Sequence, residues 1–449
     1  MNGRVCQVVS SLRTGGMERM VCDLMGGLTA HGIENVLFCT DAEGELYETA
    51  PALAKACGRR KPGLFVIDWR LVCQMVRFVK AQHVTLLHAH NHAPNLYCVL
   101  VSLLTGIPVI VTRHGQGHSG FRRVLLTRIL SWRARVVVMV SEDAKRVAIK
   151  NRSVSKKKAT VIHNGVDTRH FMPRETTDHR PQTLDQRVAL VVTAVPSGTV
   201  PREHMPVRTP ATTSRDLRSS FGIPADAVVI GSVGRLSPEK NYTLLVRAFS
   251  QLAEKSIEQK EAKETKKKRD LVSAGGGEEK SYSSFPLLPS VQNLNDSRSE
   301  VYGPRSEVFL LLIGDGPDRA NIEAEITRHN LQDRCFITGM QSDVLPWLHT
   351  MDIFCLSSDT EGLSISLLEA GSCALPSVVT DVGGNREVVM DGETGIVVSK
   401  REEIALSVAL GRLTCDEVLR QRLGGAARRR VMKSFSFATM VERCESLYQ

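Results

Sequence analysis

The chain lacks the patterns that mark several large functional classes. None of its eleven cysteines stands in a CxxC pair, and Cys22, Cys98 and Cys355 lie inside apolar runs. The set therefore reads as buried thiols in a reducing cytoplasm, not as a disulfide framework. The glycine pair Gly15-Gly16 in SLRTGGMERMV, after the first strand-like run, is not the GxGxxG fingerprint, which argues against a dinucleotide-dependent dehydrogenase. No DxD-type signature is placed to hold a divalent metal, and no pyridoxal phosphate lysine motif is present. The N-terminal MNGRVCQVVSSLRTGG has an apolar stretch too short and too polar for a signal peptide. The uncharged stretch His92 to Thr112 is broken at Gly106-Ile107-Pro108 into a helix-like and a strand-like part, which argues against a membrane span. No repeat of solenoid period is evident.

Charge is unevenly spread. The chain carries +10 overall, yet residues 1–172 hold 24 Lys and Arg against 11 Asp and Glu, or +13, leaving −3 for the rest. A basic first part suits an anionic partner such as a phospholipid surface or a phosphorylated acceptor, while the absence of a recognition motif means that no nucleic acid is expected. Short β-branched runs alternate with helix-like stretches through RVCQVVS, NVLFCT, VTLLHA, IPVIVT and RVVVMVS, and again through VVIGSVG, VFLLLIG, CFITG, DIFCLSS and SVVTD. Strand and helix in alternation predict parallel, doubly wound sheets, here two of them. The division expected is a first domain over 1–172, an insertion or linker over 173–215 and a second domain over 216–449. A Lys-, Gly- and Ser-rich insertion at 255–305 interrupts the second and is expected to be partly disordered.

In open parallel sheets ligands bind beyond the carboxyl ends of strands, so the loops after these runs are where chemistry is sought. The most informative is DTEGLSISLLEAGSCALPSVVTDVGGNREVV. Glu361 lies in a strand-to-helix loop and Glu369 eight residues on, two turns into the helix. The amides near Gly362, Leu363 and Ser364 are bare at the helix start, where a phosphate is favoured. A carboxylate ahead of that nest can accept from sugar hydroxyls, and the later one from a ribose. Arg235 and Lys240, in GRLSPEKN after VVIGSVG, are cations suited to a diphosphate whose charge grows as it leaves. Gly15 and Gly16 permit close backbone approach in the loop after the first strand. His114 follows IPVIVT at the same rim, where an imidazole could touch a transferring sugar. His88, His90 and His92 alternate along one strand end but lack a carboxylate or cysteine partner set, so no metal is expected there. The faces of FRRVLLTRILSWR, with Arg122, Trp132 and Arg133, do not separate cleanly, which predicts burial against the sheet. Lys156, Lys157 and Lys158 are candidates for phospholipid headgroups.

These motifs, together with GSVGRLSPEKNYTLLVRAF, LLLIGDGPDR, ATVIHNGVDTRHF and TGGMERMV in that family's order along the chain, resemble glycosyltransferase family 4. The resemblance covers nearly all of the chain outside the two insertions. It implies a GT-B fold, two Rossmann-like domains facing a cleft, and transfer of a sugar from a nucleoside-diphosphate sugar to an acceptor hydroxyl with retention and without a metal or other cofactor. It assigns the diphosphate to Arg235 and Lys240, the sugar to Glu361 and the ribose to Glu369. His114 is set beside the reacting carbon, and Gly314, Gly316 and Met340 flank the base. Leu363-Ser364 stands where many relatives have an aromatic residue and a glycine, which leaves the donor sugar open. The expected partners are a nucleotide-sugar donor, an acceptor of the lipid-linked or polysaccharide kind, and the inner face of the cytoplasmic membrane, met peripherally. A GT-B epimerase and a non-catalytic sugar- or polyanion-binding protein are the alternatives.

Overall fold

A computed structural model of the chain describes residues 3–13, 15–60, 67–115, 121–174, 214–254 and 307–449. The first sheet comprises β1 (Arg4–Val9), β2 (Asn35–Cys39), β3 (Lys55–Cys57), β4 (Val84–His90), β5 (Val109–Arg113), β6 (Val136–Met139) and β7 (Ala159–Val161). Around it lie α1 (Gly16–Ala30), α2 (Trp69–Ala81), α3 (His92–Thr105), α4 (Phe121–Arg133) and α5 (Glu142–Lys150). Next come α6 (Ser214–Ser220), β8 (Val228–Val233), α7 (242–254), β9 (Val308–Ile313), α8 (Arg319–Arg328), β10 (Cys335–Ile337), α9 (Leu345–Leu348) and β11 (Ile353–Leu356). The chain finishes with α10 (Ile365–Ser372), β12 (Ser377–Thr380), α11 (Asn385–Val388), β13 (Gly395–Val398), α12 (Glu403–Cys415), α13 (Glu417–Ser434) and α14 (Phe437–Tyr448).

The strand orders are β3-β2-β1-β4-β5-β6-β7 and β10-β9-β8-β11-β12-β13, and every pairing is parallel. Strands covered on both faces read as near-continuous apolar runs, as β9 (VFLLLI, buried throughout) does. Each sheet has two apolar clusters, one per face. These are two doubly wound α/β domains, as the alternating runs predict.

Three expectations need comment. The break at Gly106 is real: Gly106 takes the left-handed conformation (φ 78°) that ends α3, and β5 begins at Val109. The second domain does not keep the chain to 449, because α14 returns to the first sheet, where Met440, Val441, Cys444 and Tyr448 pack with Val5 and Val9 of β1. Those four residues form a helical stripe, and the same helix lies against α1, where Val441 and Phe437 crowd Gly27. α4 buries Leu130 but leaves most of its apolar residues outside. Thr127, Leu130 and Ser131 face inward, while Leu125, Leu126, Ile129 and Trp132 lie outside, Trp132 at 78% exposure. The inner seat takes two small polar side chains beside Leu130, which is why periodicity misplaced this helix. Both expected insertions fall almost entirely outside the described residues. Among the described residues no helix is long and apolar enough to cross a membrane.

Candidate active site

In each sheet the strand order reverses between the first strand and the fourth, at β1/β4 and at β8/β11. Loops leaving such a point diverge to opposite faces and open a crevice. After β8, Pro238–Lys240 forms a 3-10 turn ended by Asn241 at φ 49°. After β11, Ser357 Oγ donates to the carbonyls of Lys240 (3.1 Å) and Asn241 (3.0 Å), and the Asp359 amide donates to Glu239 O (2.8 Å). These bonds lace the two loops together across the switch point. Lys240 Nζ is thereby placed 2.5 Å from Glu361 Oε1, which also accepts from Ser358 Oγ at 2.7 Å. Burying such a pair is costly unless further hydrogen bonds satisfy it, and Ser358 supplies one. Arg235 is exposed on the same β8 loop, with no ion pair to it among the described residues.

Helix α10 is capped by Ser364, whose Oγ accepts from the Leu367 amide at 3.4 Å. Across the crevice α1 starts at Gly16, and a Cβ there would stand 3.5 Å from Ile365 Cδ1. Two helix N-termini therefore converge from different domains, each presenting the positive end of its dipole. Leu363 is buried, and its carbonyl accepts from Asn164 Nδ2 of the first domain at 3.0 Å. Gly362 is packed so that a Cβ would collide with the carbonyl oxygen of His114. Only glycine allows the two domains to meet at that point.

Glu369 is buried one turn into α10, and burial raises its carboxyl pKa to about 7. Arg19 opposes that shift, while Asp23 and Asp343 add to it. Gly314 and Gly316 have a packing role: a Cβ on either would strike the carbonyl of Gly234 or Leu236, so they let the β9 loop lie against the loop that carries Arg235. Met340 is 65% exposed after β10.

On the first-domain wall, β4 and β5 bring His88, His90 and His114 together. His90 Nδ1 is 3.1 Å from His114 Nε2, and His90 Nε2 is 2.9 Å from Gln7 Oε1. His88 bonds Tyr448 Oη (2.6 Å) and Thr112 Oγ1 (2.7 Å). Burial lowers His88 to about 3 and His114 to about 4, and pushes His90 well below the usual imidazole range. His92 opens α3 and lies near Thr127 instead. Among the described residues no three His, Cys, Asp or Glu side chains, these histidines included, are arranged so that they could hold a metal ion.

Sequence reasoning missed Glu387. Its carboxylate accepts from the Glu142 and Asp143 amides, both at 2.9 Å, and from His163 Nε2 at 2.8 Å. A second-domain carboxylate thus caps first-domain helix α5. Burial pushes Glu387 upward, but the bonds from His163 and the two amides outweigh it and leave its pKa lowered. Nothing local signals this contact, since its partners lie more than 220 residues away.

Comparison with known proteins completes the picture. The family model described as Glycosyltransferase Family 4 matches residues 14–170, and the one described as Glycosyl transferases group 1 matches 291–430. The chain is 22% identical over 392 residues, 85% of its own length and 79% of the relative's, to the Escherichia coli UDP-Gal:alpha-D-GlcNAc-diphosphoundecaprenol alpha-1,3-galactosyltransferase. It is 32% identical over 166 residues (37% of this chain, 43% of the relative) to the Bacillus anthracis N-acetyl-alpha-D-glucosaminyl L-malate synthase. The solved structure of Anabaena Alr3699/HepE in complex with UDP and glucose shares the fold, with a TM-score of 0.70 and 16% identity, covering 100% of this chain and 99% of that one. With these matches at both ends of a two-sheet molecule whose switch points face one crevice, the chain belongs to glycosyltransferase family 4 and is a GT-B glycosyltransferase.

Proposed function

We propose that the chain takes a sugar from a nucleoside-diphosphate sugar held mainly by the second domain and passes it, with retention of anomeric configuration, to an acceptor hydroxyl presented by the first. The observation that carries this reading is the Lys240–Glu361 pair beside exposed Arg235, set where the N-termini of α1 and α10 converge. Fixed cations and helix ends can stabilise the charge that grows on a departing diphosphate without reorganising. In this reading Arg235 and Lys240 do the work of a divalent ion, so no metal is needed. Glu361 orients the sugar hydroxyls and Glu369 the ribose, with Gly15, Gly16, Gly362, Leu363 and Ser364 shaping the diphosphate seat. Gly314, Gly316 and Met340 border the base. His114 lies beside the reacting carbon. The leaving phosphate itself takes the acceptor proton as attack proceeds on the face it vacates. The test is transfer assayed in EDTA, with the anomeric configuration of the product read by NMR. Retention with full activity in EDTA supports the reading. Inversion, or activity restored only by a divalent ion, overturns it.

For the acceptor, the reading is a lipid-linked glycan or growing polysaccharide met at the inner face of the cytoplasmic membrane. The E. coli relative acts on a diphosphoundecaprenol-linked sugar, as its name states. On this chain, Leu125, Leu126, Ile129 and Trp132 of α4 are exposed beside Leu103 and Leu104 of α3, on a domain with net charge +13 over residues 1–172. Exposed apolar residues within a basic surface suit peripheral contact with anionic lipid. Cosedimentation with phosphatidylglycerol vesicles, but not with phosphatidylcholine vesicles, is expected, and Trp132→Ser should weaken it. Equal binding to both, or to neither, contradicts the membrane assignment.

A further inference from the structure

The first-domain wall contains a chain of buried amides and imidazoles whose donors and acceptors can be assigned one after another. Asn35, 1% exposed on β2, is the starting point. Its amide group lies against the carbonyl of Ile33 at 2.9 Å and that of Met25 at 3.4 Å, and carbonyls can only accept. The NH2 must therefore face them, which turns Asn35 Oδ1 toward Gln7. Gln7, fully buried on β1, must in turn offer its NH2 to Asn35 Oδ1 at 3.1 Å; flipping it would set two acceptor oxygens against each other in the core. The same NH2 reaches Tyr448 Oη at 3.3 Å.

With its NH2 so committed, Gln7 presents Oε1 to His90. His90 Nε2, 2.9 Å away, must carry the hydrogen. A neutral imidazole has one N–H, so His90 Nδ1 is an acceptor. His114 Nε2, 3.1 Å from it, must then be the donor. The ring geometry agrees: the centroids are 5.3 Å apart and the planes only 25° from parallel, as for an in-plane N–H···N bond. The tautomer of a ring at the crevice rim is thus dictated by side chains on β1 and β2.

We propose that Gln7 and Asn35 act through His90 as positioning residues that hold His114 in its Nε2–H tautomer, leaving Nδ1 as the hydrogen-bond acceptor. A neutral ring with a bare nitrogen accepts from a sugar hydroxyl and has no attraction for a phosphate oxygen. The arrangement therefore commits His114 to the sugar and leaves the diphosphate to Arg235 and Lys240. This assignment of partners rests on the proposed function, whereas the tautomer does not. Burial, which lowers His114 to about 4, keeps the ring neutral across the ordinary working range.

The experiment uses the full chain labelled with [15N]histidine at pH 7, with two-bond 1H–15N correlations reporting which ring nitrogen bears the proton. The His114 signals are identified by their loss in His114→Gln. Wild type is expected to show His114 protonated on Nε2 alone. Gln7→Met, which removes both the donor and the acceptor at this link, is expected to show both tautomers in comparable amounts, with UDP affinity by calorimetry unchanged. A wild-type His114 protonated on Nδ1, or on both nitrogens, overturns the proposal. So does an unaltered Nε2–H tautomer in a folded Gln7→Met protein. If Gln7→Met does not fold, the wild-type spectrum together with Asn35→Leu decides. Failure of wild type to bind UDP would count against the proposed function and leave the tautomer result standing.

Discussion

The two walls of the crevice solve opposite electrostatic problems. On the second-domain wall the polar groups are ions: Lys240 paired to Glu361, with Arg235 exposed on the same loop. On the first-domain wall His88, His90 and His114 are all held neutral by burial. Ions at a solvent opening need partners close at hand, and short loops on either side of one switch point supply them. Neutral rings in a sheet interior need donors and acceptors matched in order, and these come from strands and a helix far apart in sequence. In the proposed reaction the ionic wall takes the charged leaving group and the neutral wall the uncharged sugar.

The sharpest way to break this contrast is to remove charge from the ionic wall. Lys240→Ala is expected to lower kcat/KM by about a hundredfold or more, since losing one preorganised stabiliser often costs roughly 3 kcal/mol. It also strands buried Glu361, so thermal stability should fall by about 3–5 kcal/mol and recover in part in Lys240→Ala/Glu361→Ala, while activity does not. Unchanged turnover in the single variant would remove Lys240 from the mechanism. Gly362→Ala tests where the walls meet. Displacing His114 should cut kcat by about tenfold or more while UDP affinity stays within a few-fold, because misplacement by about 1 Å is enough to slow a positioned reaction. Wild-type kcat in that variant would show that the contact is not needed.

A smaller effect is expected from pH. Glu369 has its pKa raised to about 7 from 4.5. On its own account it therefore favours the folded state fully below 4.5 and progressively less as pH rises toward 7. A ribose that bonds the carboxylate prefers the ionised form, so UDP affinity should rise with pH through about 7. Glu369→Gln should flatten that part of the profile, with titration of UDP itself left as background. Identical profiles in the two proteins would take Glu369 away from the ribose. The mildest prediction concerns Glu387, whose pKa is lowered from 4.5. The stability it contributes is present above that value and is lost as pH falls through the lowered one. Glu387→Gln should cost about 1–3 kcal/mol in thermal unfolding at pH 7, and the difference from wild type should shrink in acid. A pH-independent difference would contradict the latch.

Legibility in the sequence followed the same division. The ionic wall was readable because Glu361, Glu369 and the intervening amides sit within one strand–loop–helix, and Arg235 with Lys240 within another. Alternating apolar runs likewise gave both parallel sheets, apart from the return of α14, whose stripe is helical but whose destination is a long-range matter. The histidine wall was only half legible. His114 and the His88–His90 pair stood out, but Gln7 looked like one polar residue in a strand, and Asn35, Tyr448 and Glu387 gave no local sign of their partners. α4 failed for another reason: pattern alone does not say which side of a helix meets the sheet when the inner seat is Thr127 and Ser131.

The central claim is that positioned cations and two helix ends grip a nucleoside diphosphate without a metal. Calorimetry with UDP, GDP and ADP in EDTA tests it most directly. The account predicts that at least one binds, that magnesium leaves its affinity unchanged, and that Arg235→Ala/Lys240→Ala abolishes binding. Wild-type protein that binds none of the three, or binds one only when magnesium is added, would contradict it.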